Sequence, residues 1–494
     1  MKLKRTVAVA VLVLVAASQL PGDEIVGWRT DWTGKYPDAD PPTSWSAAEN
    51  VIWKTPMPAW GNATPVLVGD RIFVCAEPTT LVCVDAKTGA ILWQAGTTYF
   101  DALPPEESAR LRKLADAIDV DKTHRQLRSV RSKIGRLDNQ IKQKTRALDN
   151  ARKQAEQKTG DAELQKKLAD EIARIEQELP ELRKQVEAER PALAAEAVEI
   201  EAKLKPVEAL LLPDTHGANG YSSPTPVSDG TNVYAFFTTG VVTCFDLEGR
   251  RKWATMTEKP TLTYGVSASP LLADGKVIVH PRAVHALDAA TGREVWRQES
   301  APLWGSPALA EIEGRKVVLT NSGDWLLAAD GRKLPTGPTC KLTYNQPIVA
   351  GGIAYFIQNG GKAFRLPTST DGTPQLLWQT KPKKDRYYAS PVIHEGLIYA
   401  VTQMSVLSAI DAKTGEVVYE QNLKLGRQQA FPSIALAGKL LFISNSDGNT
   451  AIIEPGREFR EVARNKLEPF RATPVFRGTR MFVRTLKHLY CIGR

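Results

Sequence analysis

Apolar and polar residues alternate in short runs along most of this chain, and the runs recur in a fixed order. A Ser/Thr/Gln-Pro or Phe-Pro step opens each unit; an apolar stretch, a Gly or Asp-Gly turn and a β-branched or aromatic run follow. "TPVLVGDRIFV" at 64, "SPLLADGKVIV" at 269, "SPVIHEGLIYA" at 390 and "TPVFRGTRMFV" at 473 are copies, and the opening prolines fall at 65, 226, 270, 307, 347, 391, 432 and 474. From Pro226 onward the steps are 44, 37, 40, 44, 41 and 42 residues. Period-two runs this short predict β-strands, and such a repeat with about four strands per unit predicts propeller blades.

A second echo lies inside the units: "CVDAKTGAILW" at 83, "HALDAATGREVW" at 285 and "SAIDAKTGEVVY" at 408. The Asp can accept backbone N–H groups across a reversal, and Gly89, Gly292 or Gly415 supplies the positive φ that the reversal needs. Trp93, Trp253, Trp296 and Trp378 then stand at one point of successive units, where a large flat ring would wedge between neighbouring sheets. Cys83, Cys244 and Cys491 occupy the slot that holds Ala286 and Ala409 elsewhere, which reads as a small buried position; a pairing of Cys75 with Cys83 across a hairpin stays open. The last unit stops at "HLYCIGR" without an outer strand, while "ENVIWKTPMP" at 49–58 has the Trp53 of an outer strand and no strands before it. Joining the two removes exposed sheet edges. The expected fold is an all-β eight-bladed propeller of four-stranded antiparallel blades with a split closing blade.

One region breaks the pattern. Between Pro104 and Leu212 apolar residues recur at three and four, at Leu127, Val130, Ile134, Leu137, Ile141 and Leu148, then at Leu164, Leu168, Ile172, Ile175, Leu179, Leu182 and Val186. That is coiled-coil spacing. Residues 122–158 hold twelve basic and three acidic side chains and 161–208 eight basic and thirteen acidic, so the two arms should attract as an antiparallel hairpin turning at Gly160. Pro180, Pro191 and Pro206 are expected to kink or break the second arm, leaving its base as several short helices rather than one rod.

The chain opens with Lys2, Lys4 and Arg5 ahead of an apolar run from Val7 to Ala17, too short for a span of about 20 residues and suited to an export signal. The expected division is 1–18 signal peptide, 19–48 N-terminal extended segment, 49–103 closing strand and first blade, 104–212 helical hairpin insertion and 213–494 blades two to eight. No cysteine follows the signal closely, so a lipid anchor is not expected, and the mature chain is read as soluble and periplasmic or extracellular. Its formal charge of +9 falls to about +6 when three cations leave with the signal, a mild surplus that does not point to nucleic acid.

The repeats, with "WRTDWTG" and "PPTSWSAAENVIWKTPMP", resemble the quinoprotein-like (PQQ-like) propellers with tryptophan-docking repeats, a family of exported bacterial proteins that includes pyrroloquinoline quinone dehydrogenases and the outer-membrane assembly propeller. For its dehydrogenases the resemblance implies a catalytic carboxylate, a calcium ion held by acidic and amide oxygens, and adjacent cysteines. This chain has no adjacent cysteines, and Asp324 and Asp447 stand beside Gly323 and Gly448, where turn duty is expected. No HxxxH, HExxH or GxSxG spacing occurs. No cofactor and no metal are therefore expected, and pyrroloquinoline quinone with calcium is left as the alternative, without support from the family's site motifs.

Just before the inner strands stand Trp60, Asn62, Tyr221, Tyr264, Trp304, Tyr344, Tyr387, Gln428 and Arg471, with Tyr388 and Gln429 as neighbours. The loops between second and third strands supply Arg282, Asn321, Gln403 and Asn445. Aromatic platforms with amide and basic groups around one mouth form a binding cup. The expected function is a non-catalytic ligand- or protein-binding propeller of the cell envelope, acting through this mouth face and the helical hairpin on an envelope protein, peptide or carbohydrate-like ligand. The competing classes are a PQQ-dependent dehydrogenase and a structural scaffold of an envelope complex.

Overall fold

The computed structural model describes residues 25–337 and 340–494; the expected signal peptide at 1–18 lies outside the described residues. The chain divides into two compact units, one made of the chain up to Ala102 with Pro213–Arg494, the other of Leu103–Leu212.

The first unit holds eight sheets among its described residues. The first is the meander Val66–Val68, Arg71–Ala76, Thr80–Asp85 and Ile91–Gly96, and further meanders begin at Val227, Leu271, Ala308, Ile348, Val392, Ala435 and Val475. The sheet starting at Val475 takes its fourth strand from Val51–Pro56, which pairs antiparallel with His488–Ile492 and sets Trp53 opposite Cys491. The sheet starting at Ala308 has three strands instead of the four expected, because the segment after Trp325–Leu327 makes one isolated bridge, Leu326 to Lys333, and then meets Pro335, which has no N–H to continue a ladder. In the seventh sheet Ser433 holds the place that Thr64, Ser269 and Ser390 hold elsewhere, two residues before the strand, so the Phe-Pro step at 431 lies two residues out of register with its counterparts.

Local chemistry accounts for the repeat. Asp85 Oδ1 accepts from the N–H groups of Lys87 and Thr88 at 2.9 and 2.7 Å, and Asp288 and Asp411 do the same work in their own sheets. Gly292 then turns at φ +72°, and a Cβ there would lie 2.5 Å from the indole of Trp253, a residue of the preceding sheet. The docking aromatic thus lies flat on the next sheet's turn glycine. Its Nε1 donates to a carbonyl of the same turn: Trp53 to Ala86, Trp93 to Leu247, Trp253 to Ala289, Trp296 to Ala328 and Trp378 to Ala412, at 2.9–3.3 Å. Directly across the strand from each ring stands the small slot, Cys83 opposite Trp93, Cys244 opposite Trp253 and Ala286 opposite Trp296. Cys75 pairs across its strand with Leu81, not with Cys83, and both thiols are free and buried.

The segment 25–48 is more than an extended lead. Val26 bridges Ser228 of the second sheet, Trp32 packs against core residues of the second and third, and Lys35–Tyr36 adds a parallel strand to Ala435–Ala437 of the seventh. Trp45 stacks on Phe442 with ring centres 6.1 Å apart. Nothing in its sequence is periodic; it is ordered by the turns it crosses.

The second unit contains α1 (Pro105–Ile118), α2 (Val120–Gln157) and α3 (Ala162–Leu204), followed by a short 3₁₀ turn at Lys205–Leu210. Leu148 of α2 packs with Ile175 and Leu179 of α3. Contrary to the sequence expectation, α3 runs through Pro180 and Pro191 without a break. The carbonyls that each proline leaves without a donor, four residues earlier at Glu176 and Glu187, belong to exposed residues that water can reach, while Leu179 and Val186 stay buried.

Candidate functional site

Every inner-strand entry but one carries a small hydroxyl residue that ties one sheet to the next. The N–H of Thr64 donates to Thr225 Oγ1, that of Thr225 to Ser269 Oγ and that of Ser269 to Ser306 Oγ, each at 3.0 Å. On the other side Gln346 donates to Ser390, Ser390 to Ser433 and Ser433 to Thr473, again at 3.0 Å, and Thr473 returns to Thr64 Oγ1 at 3.3 Å. At Gln346, which has no hydroxyl, the side-chain amide instead donates to the Pro307 carbonyl at 3.0 Å. These groups are nearly fully buried, so each bond satisfies a backbone donor that would otherwise be stranded.

Extended chain repeats every two residues, so the residue two before each of these positions faces the same way. Those residues are Asn62, Ser223, Ser267, Trp304, Tyr344, Tyr388, Phe431 and Arg471, and all of them line one cavity of about 550 Å³. The wall is two-sided. One half is small and polar; the other is an unbroken aromatic arc. Trp304 stacks on Tyr344 with centroids 5.5 Å apart, Tyr344 meets Tyr388 edge-on at 4.7 Å, and Tyr388 stacks on Phe431 at 4.8 Å. Arg471 ends the arc, its guanidinium 5.9 Å from the Phe431 centroid. Tyr264 and His216, stacked at 4.5 Å, extend it at the other end.

Over the polar half lies the loop 215–220. Asn62 Nδ2 donates to the carbonyls of Ala218 and Asn219, Arg471 Nη1 to Ala218, and Asn219 Nδ2 to the Tyr264 carbonyl, at 2.8–3.2 Å. The loop is rooted by Glu77, whose carboxylate accepts the N–H groups of Tyr221 and Ser222 and the Ser222 hydroxyl; burial pushes its pKa above the usual carboxylate value despite those donors. Burial likewise lowers the pKa of Arg471. Trp28 of the N-terminal segment also reaches the cavity wall. Beside it Arg29 is 1% exposed and donates to the carbonyls of Pro391 and Ile434 at 3.0 and 2.9 Å, and burial pulls its pKa down to about 10.

Of the candidate residues, Asn62, Tyr264, Trp304, Tyr344 and Arg471 line this cavity, with Tyr388 and Gln429. The others stand elsewhere. Tyr387 is one residue out of phase with Tyr388, points inward and donates to the Lys383 carbonyl. Tyr221 is buried with its hydroxyl on the Pro213 carbonyl, and Trp60 lies against Gly220. Asn321 and Asn445 are buried braces whose amides donate to Leu342 and Asn345, and to Leu425, holding the connection into the next sheet. Gln403 donates to Asp385 at 2.7 Å, while Arg282 and Gln428 are exposed away from the cavity lining. Sequence reading missed Trp28, Ser223, Ser267 and Phe431; counting two back from each hydroxyl would have found the last three.

The donor set does not suit a calcium-held quinone. No Asp or Glu lines the cavity, so the acidic oxygens that would neutralise and hold the ion are missing from its wall. Among the described residues no group of three or more His, Cys, Asp or Glu side chains is placed to hold a metal, and no helix is long and apolar enough to cross a membrane.

Comparison with known proteins gives one family. The model described as outer membrane protein assembly factor BamB matches residues 36–161 and 238–458, about 70% of the chain. A curated relative, the outer membrane protein assembly factor BamB of Yersinia pestis, is 25% identical over 264 residues, which is 48% of this chain and 65% of the relative, so the chain spans somewhat under two thirds of that relative's length. Among solved structures, a europium-containing methanol dehydrogenase aligns over 94% of this chain and 89% of its own at 12% identity and a TM-score of 0.51, a likeness of fold alone. BamB from Moraxella catarrhalis aligns over 53% of this chain and 80% of its own at 14% identity and a TM-score of 0.43.

Proposed function

The chain belongs to the family of the outer membrane protein assembly factor BamB, and from that premise we propose that it is a non-catalytic docking propeller of the cell envelope, exported by its N-terminal signal, whose mouth takes a segment of a protein partner. On this reading the eight sheets are the blades of a closed ring, Val51–Pro56 completes the last blade, and the helical unit is an antiparallel coiled-coil hairpin inserted at 104–212.

The observation that carries the proposal is the arc Trp304–Tyr344–Tyr388–Phe431. These rings are half-buried, so each keeps apolar area open to the cavity, and stiff aromatic platforms give contact area at little entropic cost. Arg386 and Arg471 add positive charge to a wall that has no carboxylate, favouring a segment with an acidic side chain beside its apolar anchor. His216 of the wall accepts the Ala218 N–H at Nδ1 and stacks on Tyr264, a structural use of the imidazole, and we read the mechanism as binding: rings cover the anchor, the arginines orient its charge, and the hydroxyl entries keep the wall rigid.

The test is selection of peptides from a random library on the immobilised protein, followed by fluorescence titration of the selected peptides. Peptides with an apolar anchor and an acidic neighbour should bind the wild type at least tenfold more tightly than the Trp304→Ala, Tyr344→Ala double variant. Equal affinity for both proteins overturns the mouth as the site. Saturable uptake of pyrroloquinoline quinone with calcium, together with alcohol-dependent dye reduction, would replace the proposal with the dehydrogenase reading.

A further inference from the structure

Helix α2 carries two kinds of cation. Arg131, Lys144 and Arg152 pair with Glu201, Glu178 and Glu176 of α3. Arg125, Arg128, Arg136, Lys142, Arg146 and Lys153 do not. At about 3.6 residues per turn these six fall on the side away from the buried Leu127, Val130 and Leu148. All six are exposed, and none has an ion-pair partner among the described residues.

That side of the helix is strongly basic. Between Arg125 and Lys153 it holds the uncharged Ser132, Asn139, Gln143 and Asn150, a single carboxylate, Asp149, at its edge beside Lys142, and no large apolar side chain. Pairs such as Arg125 with Arg128 and Lys142 with Arg146 are helical neighbours and repel one another. Asp121 and Asp149, helical neighbours of Arg125 and of Arg146 and Lys153, offset only part of that repulsion, whereas Arg131, Lys144 and Arg152 are each matched by a glutamate of α3. The stripe is about 42 Å long at 1.5 Å per residue.

We propose that this stripe is a docking surface for an anionic phospholipid membrane surface. The six cations follow one another at intervals of 3, 8, 6, 4 and 7 residues. Such irregular spacing sets no register that a folded acidic surface would have to match, whereas headgroup phosphates can move to meet each charge. Four of the six are Arg, whose planar fork suits phosphate oxygens. With no apolar side chain on that side, the helix rests on the headgroups by charge alone and does not insert, so its binding is reversible by salt. This inference is independent of the mouth reading.

Co-sedimentation of the full chain with vesicles tests it. Vesicles of phosphatidylcholine with one-third phosphatidylglycerol should pellet the protein at low salt and release it at high salt, and pure phosphatidylcholine vesicles should not bind it. Changing all six residues to Gln should weaken partition roughly a hundredfold with the helical circular dichroism unchanged. Arg128→Gln, Arg136→Gln and Arg146→Gln together should give an intermediate loss, and this triple variant decides the matter if the sixfold change unfolds the arm. Equal partition of wild type and variants overturns the proposal. So does retention on immobilised polyglutamate without vesicle binding, which would assign the stripe to an acidic protein.

Discussion

In the sheet unit the strand Val51–Pro56 finds its partner at His488–Ile492, at the far end of the sequence, whereas α2 and α3 pack on each other across a four-residue connection. The two units handle charge just as differently. Glu468 in the closing sheet accepts from Tyr490, from His488 at 2.8 Å, from Lys54 at 2.9 Å and from Thr485 at 2.9 Å. Burial alone would push its carboxyl up, but these donors outweigh it and hold the pKa at about 2. Inter-helix pairs such as Arg131–Glu201 are roughly half exposed, and such pairs are worth little individually. The sheets are joined by directional, buried contacts between distant segments; the helices are joined by a local apolar seam with charge left outside. Long-range closure should therefore dominate the stability of the first unit, and no single polar contact should dominate the second.

The largest expected effect comes from removing closure. Deleting Glu49–Pro58 exposes the edge of His488–Ile492, and the sheet unit should lose its cooperative melting transition and form oligomers, while helical circular dichroism persists. Replacing Leu103–Leu212 with a short Gly/Ser linker should leave that transition in place. Similar damage from both changes would break the comparison.

Next comes a docking ring. Trp296→Ala should cost about 3–5 kcal/mol in a denaturant titration of the sheet unit. Leu179→Ala in α3, buried against Leu148 and Ile175 in a small cluster, should cost about 2 kcal/mol and should shift only the helical transition.

Arg29→Met tests whether the N-terminal segment belongs to the core. It leaves the carbonyls of Pro391 and Ile434 without donors, at about 1–3 kcal/mol. A loss well under that range, read by chemical denaturation, would return the segment to the role of a loose lead.

The pH dependence follows from Glu468. Its folded pKa lies below the usual value of 4.5, so its contribution is complete above that value and fades as pH falls toward about 2. Glu468→Gln should therefore be less stable than the wild type near neutral pH, and the gap in melting temperature should close on acidification through that window. A gap that widens toward acid would reverse the sign and remove the buried network as its cause.

The smallest effect belongs to the arm. Arg131→Gln or Arg152→Gln should change stability by less than about 0.5 kcal/mol, and added salt should erase even that. A loss several times larger would show that the inter-helix charges lock the arm as the Glu468 network locks the closing sheet.

The strand repeat, the DAxTG turns, the docking tryptophans and the apolar seam were all legible in the sequence, because each is fixed by chemistry within a few residues: an Asp that accepts from its own turn, a Gly that alone tolerates the φ, an apolar residue at every second or fourth place. The mouth was half legible. Asn62, Trp304 and Arg471 stand two residues before a hydroxyl entry, and Tyr344 two before Gln346, but Tyr387 and Tyr388 are adjacent and of one kind, and only strand register buries the first and opens the second to the cavity. Tertiary structure alone decided that the loop 215–220 covers the polar half, that Arg29 is buried against two distant carbonyls, and that α3 passes through two prolines. Each depends on whether a polar group meets a partner or water after folding, and that is a property of what comes to lie beside it in space, which no short stretch of sequence contains.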